Sequence, residues 1–185
     1  WRHEDVCAVE LLPLTRDDVL LALSRVEPDP ERLLKELERK DSAPLLTSPV
    51  TLDMVMGLVR DGEAVADLSR VQLYERSMRR LVRPRGSAGQ AVDDRIAIAR
   101  RLAAVTVFCK RPVIYEHADV GTKPGTAVAV ADLLGGTEPR PRGEVEVNEA
   151  HVRELLGSSG LFSSRGVGGL GWLHPSYSDY LASEY

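Results

Sequence analysis

Cysteine is scarce in this chain: Cys7 and Cys109 are the only two among 185 residues. They lie far apart and suggest neither a zinc spacing nor a disulfide framework, so a reducing cytoplasm is the expected home. Long apolar runs are also missing. No stretch approaches the roughly 20 residues that a membrane-crossing helix needs, so no membrane partner is expected. The first residues lack the basic-then-apolar order of a secretory leader. The histidines and cysteines form no zinc-site spacing, so no metal site is expected. Ser158, Ser159, Ser163 and Ser164 sit in no Gly-x-Ser-x-Gly elbow and read as turn and edge residues. Internal repeats and low-complexity tracts are absent. The net charge of −4 supplies no global pull toward nucleic acid or an anionic surface.

What is present suffices for one sizeable core or two small ones: 43% of the residues are hydrophobic. The chain opens on Trp1 and stops at Tyr185 within a helical pattern, and both ends read as cuts in something longer. Residues 6–12 resemble a buried strand or linker ending at Pro13. Thr15 is an N-cap with Asp18 in the capping-box position, ahead of an apolar face of Val19, Leu20 and Leu23. Asp29-Pro30 opens a second helix with Leu33, Leu34 and Leu37 on one stripe. Pro49 must interrupt the pattern of residues 43–56, giving a short helix before it and a longer one, 50–60, after it. Ser69 caps a further helix whose apolar face is Val71, Leu73, Tyr74, Met78, Leu81 and Val82. Residues 83–89 carry proline and glycine and make the best domain boundary.

Residues 91–109 form a long helix around Arg100-Arg101, with Asp93-Asp94 as its N-terminal caps. Residues 111–143, rich in Gly, Pro and Thr, are expected to be an irregular, partly mobile insertion. A helix over 147–156 precedes two apolar runs, Leu161-Phe162 and 170–173, around the glycine-rich turn 166–169. That is a β-hairpin signature. His174 closes the second strand, and Tyr177, Tyr180 and Leu181 follow at helical spacing. Helix, hairpin and helix together outline a winged-helix unit.

The order Leu-Pro-Leu-Thr-Arg-Asp-Asp-Val (12–19), Ser-Pro-Val-Thr-Leu (48–52), Leu-Tyr-Glu-Arg (73–76) and Leu-His-Pro-Ser-Tyr-Ser-Asp-Tyr-Leu-Ala (173–182) resembles the NACHT family. These are STAND-class signalling NTPases that include NOD-like receptors and bacterial defence proteins. The resemblance covers most of the chain, but only the part downstream of the family's nucleotide-binding core. It implies a mainly α fold: the end of the core or a linker strand (1–12), helical domain 1 as a helical-bundle lid (13–84), and a winged-helix domain with a small β-hairpin (85–185). It also implies that Pro49 packs on the adenine and that His174 donates a hydrogen bond to the β-phosphate of ADP. The plain alternatives are a proline that starts a helix and a histidine satisfied by backbone at a strand corner.

The chain departs from the family in holding no Gly-x-x-x-x-Gly-Lys-[Ser/Thr] loop and no acidic Walker B strand. By itself it should therefore not hydrolyse ATP, and no catalytic residue is assigned. The parent protein would be a slow ATPase, with ADP or ATP and Mg²⁺ held mainly by an upstream core. Asp179 stands where the family often has glutamate, and Pro175 where it has a bulkier or polar residue. The implied function is a nucleotide switch that controls oligomerisation and signalling, with that core and a downstream sensor of the same chain as partners. A winged helix also raises DNA-binding regulation as the alternative. Its reader would be residues 147–156, with Asn148, Glu149, His151, Arg153 and Glu154, and Arg165 on the wing. Two glutamates on that surface would repel phosphate, so nucleic acid is not the expected partner.

Overall fold

A computed structural model describes residues 12–83, 89–115 and 127–185, and for Gly89 and Gln90 the backbone alone. The chain is mainly helical and divides into two compact units, Trp1–Leu73 and Tyr74–Tyr185. The division falls inside a continuous helix, ahead of the 83–89 linker. His3, residues 6–11, His117 and much of the 83–89 linker lie outside the described residues.

In the first unit, α1 (Arg16–Leu23) begins at the Thr15 capping box. The Thr15 hydroxyl accepts from the Asp18 amide at 3.3 Å, and the Asp18 carboxylate accepts from the Thr15 amide at 2.9 Å. Helix α2 (Pro30–Arg39) starts where Asp29 accepts from the Arg32 amide at 3.0 Å. Its stripe of Leu33, Leu34 and Leu37 is buried with Val19 and Leu23. A 3-10 turn, Ala43–Thr47, leads into α3 (Pro49–Arg60). Leu46, Leu52, Val55 and Leu58 complete this core, and a second 3-10 turn, Val65–Asp67, closes the unit with Val65 and Leu68.

Helix α4 (Arg70–Val82) opens with a reciprocal pair: the Gln72 side chain accepts from the Ser69 amide, and Ser69 Oγ accepts from the Gln72 amide. Leu73, Met78 and Val82 are buried as expected. Val71 is 60% exposed, because it lies beside the buried stripe at the helix start.

The second unit is built around α5 (Gly89–Phe108), which is buried over consecutive residues from Arg95 to Ala99 and again from Leu102 to Ala104. A helix enclosed on nearly all sides serves as the centre of its layer. Strand β1 (Val113–Tyr115) follows, then β2 (Ala127–Ala129), α6 (Val130–Leu133), and the hairpin β3 (Thr137–Arg140) and β4 (Gly143–Glu146). The described part of 111–143 is therefore largely regular structure, where irregular chain was expected. Helix α7 (Glu149–Ser158), capped by Asn148, leads to the hairpin β5 (Phe162–Ser164) and β6 (Gly169–Trp172), and α8 (Pro175–Ser183) ends the chain.

The larger sheet runs β2-β1-β6-β5. β1 pairs in parallel with β2 and antiparallel with β6, Ile114 opposite Leu170, while Phe162 faces Trp172 across the hairpin. The hairpin turn holds Gly166 and Gly168 at positive φ, as its glycine content implied.

Candidate functional site

The corner between β6 and α8 places His174. Pro175 lacks an amide donor, so it ends the ladder and pre-sets the first helical residue. His174 is left extended, with φ −141° and ψ 141°, as the N-cap of α8. Its ring takes the role that Ser or Asp usually plays: the Ser176 amide donates to Nδ1 at 3.2 Å, and Ser176 Oγ lies 2.8 Å from the same nitrogen. Among the described residues Nε2 has no hydrogen-bond partner. The His174 and Tyr177 rings lie 6.0 Å apart, and Tyr177 is buried.

Two further contacts hold the strand that leads into this corner. The Trp172 indole donates to Thr106 Oγ1 on α5 at 2.9 Å, with both groups buried, and the Phe162 ring lies 4.5 Å away. Arg165 folds back across its own hairpin and donates to the Trp172 carbonyl at 2.6 Å, two residues ahead of His174. It can do so because position 171 is glycine. A Cβ there would come within 2.8 Å of the Arg165 side chain.

Pro49 occupies the first helical position of α3 and is exposed; Ser48 before it makes no side-chain cap. The Thr51 hydroxyl donates to Leu45 O instead, tying α3 to the preceding 3-10 turn. Pro49 belongs to the first unit and His174 to the second. Also in the first unit is a cleft of about 420 Å³ with an apolar wall that includes Val19, Leu34 and Leu46.

Several charges assigned provisionally from sequence have defined partners. Asp93 and Asp94 are not caps: α5 begins four residues before Asp93, and the two form ion pairs with other elements, Asp93 with Arg79 and Asp94 with Arg140 at 2.8 Å. Arg100 pairs with Glu184 at 3.3 Å, and Arg101 with the buried Glu138 at 3.1 Å. On α7, Arg153 is paired with Glu149 of its own helix. His151 is half-buried, and its Nδ1–H donates to Glu146 O at 2.8 Å.

The buried Arg95 is a residue that sequence reasoning passed over. It donates to Val82 O at 2.9 Å and Ser158 Oγ at 2.9 Å, and pairs with Glu154. Ser176 was passed over as well, because the capping role of His174 that brings it to Nδ1 is visible only in the fold.

Among the described residues, no group of three or more His, Cys, Asp or Glu side chains is arranged to hold a metal ion. None of their helices is long and apolar enough to cross a membrane. No family model, curated protein or solved structure matches this chain.

Proposed function

We propose that this chain is the regulatory helical and winged-helix portion of a NACHT-type STAND NTPase, closing over ADP held by an upstream core. The observation that carries the reading is His174. It sits at a strand-to-helix corner braced by Trp172 and Tyr177, with Nδ1 engaged locally and Nε2 left to meet a ligand. The N-terminal end of α8 adds its partial positive charge beside it.

The order of elements supports the winged-helix part of the reading. Helix α5, strand β1, helices α6 and α7 and the hairpin β5–β6 follow one another, and the sheet places β6 between β1 and β5. Strand β2, parallel to β1, and the β3–β4 hairpin between α6 and α7 are additions to that plan.

In this account Pro49, rigid and exposed, presents an apolar face to the adenine. Binding of ADP biases the protein toward a closed monomer. When ATP replaces it, the winged helix moves away and homo-oligomerisation follows, in defence signalling of the kind the resemblance implies. The DNA-binding alternative fares worse. Arg153 is paired with Glu149 within α7, and Arg165 is folded across its hairpin onto the Trp172 carbonyl.

The test is the coding sequence upstream of Trp1. A phosphate loop followed by an acidic apolar strand within a few hundred codons supports the proposal. A start codon just before Trp1, with no such loop, overturns it and brings protein or DNA binding to the front.

A further inference from the structure

The environment of His174 Nδ1 has a consequence for the chemistry of the opposite nitrogen. Nδ1 faces two groups of Ser176, a backbone N–H that can only donate and a hydroxyl that can donate or accept. With the ring proton on Nδ1, the hydroxyl contact would survive, but Nδ1–H would be set against the Ser176 N–H. With the proton on Nε2, the Nδ1 lone pair receives both donors and the cap of α8 is complete.

We propose that the backbone N–H of Ser176 is the positioning group that fixes His174 as the Nε2–H tautomer, making the corner a hydrogen-bond donor for a phosphoryl oxygen and not a ligand for a metal cation. The proposal deepens the nucleotide reading and rests on it only for the identity of the acceptor. A cation at Nε2 would need the lone pair that this tautomer lacks, so binding one would require the proton to move and the cap to break.

The bracing of the corner makes the tautomer useful. Pro175 fixes the first helical residue, Tyr177 N donates to His174 O at 3.1 Å, and Trp172 is tied to α5. Ring and backbone are thereby held together, and the N–H direction is set before any ligand arrives. Pre-set donors of this kind avoid reorganisation on binding.

The experiment is long-range ¹H–¹⁵N correlation of the imidazole nitrogens in the ¹⁵N-labelled 185-residue chain, with the His174 signals assigned by their loss in His174→Gln. The wild type should show a lone-pair-type Nδ1 and a protonated Nε2. Ser176→Ala keeps the backbone N–H and removes a hydroxyl that can meet Nδ1 in either tautomer, so it should leave the tautomer ratio nearly unchanged. Ser176→Pro removes the N–H at a position where the first helical turn tolerates proline, and should lower the ratio about fivefold, the effect of one ordinary hydrogen bond.

A protonated Nδ1 in the wild type overturns the proposal, as does a ratio unmoved by Ser176→Pro. Because the reading is made without nucleotide, these results do not bear on whether ADP is the ligand. Conversely, an intact Nε2–H pattern beside ADP release that His174→Ala leaves unchanged would overturn the nucleotide reading and leave the tautomer assignment standing.

Discussion

At the scale of single residues, the second unit is held by a few buried polar ties. The Trp172 indole has Thr106 Oγ1 as its acceptor, and Thr106 is itself bonded back to Leu102 O at 2.8 Å. Thr106→Val keeps the shape but orphans a buried N–H, so it should cost about 1–3 kcal/mol in denaturant unfolding of the chain. Arg95 is a second tie. Arg95→Met would leave Val82 O and Ser158 Oγ without their donor, and a loss of about 2–3 kcal/mol is expected. Tyr180 stacks on Tyr74 with ring centroids 5.4 Å apart, and its hydroxyl pKa is pushed up to about 12, first by burial and then by Glu184 and Glu75. Its folded-state pKa lies above the unfolded value, so its contribution to stability is complete below pH 10. That contribution is lost as pH climbs from 10 through about 12. A spectrophotometric titration should show a tyrosinate that appears only at that upper end and is lost in Tyr180→Phe.

Elements built on local signals were the readable ones. The Thr15–Asp18 box, the Asp29-Pro30 start, Pro49 opening α3 and the glycine turn of the β5–β6 hairpin each depend on neighbours within a few residues. The strands within 111–143 were not readable in this way. Each is three or four residues long, and β1 exists because Val113 and Tyr115 find Gly171 and Gly169 more than fifty positions away. Asp93 and Asp94 misled for the same reason, since their partners come from α4 and β3. His174 was singled out by motif, whereas its capping role and Ser176 needed coordinates.

Two predictions belong at this scale. Asn148→Ala should lower stability by about 1 kcal/mol through loss of the α7 cap, read by denaturant unfolding. Asp18 is held below its ordinary pKa by the Thr15 hydroxyl and then by the Thr15 amide. Its help to α1 is therefore present above the ordinary carboxylate range and fades as pH falls through the lowered value. NMR titration of the Asp18 carboxyl should place its midpoint below 3.8, and Thr15→Ala should raise it.

For the whole molecule, charge distribution separates the two functional readings. The net charge is −4, and Arg79, Arg100, Arg101 and Arg153 all have acidic partners. The chain should therefore show no DNA retention that weakens with added salt, whereas a winged-helix DNA binder would lose affinity steeply as salt rises. The central claim, that His174 latches bound ADP, is tested most directly by ADP dissociation from the native-length gene product with and without His174→Ala. Loss of one charge-assisted hydrogen bond, about 1.5–3 kcal/mol, predicts at least tenfold faster release and raised basal activity. Release at the wild-type rate would contradict the account.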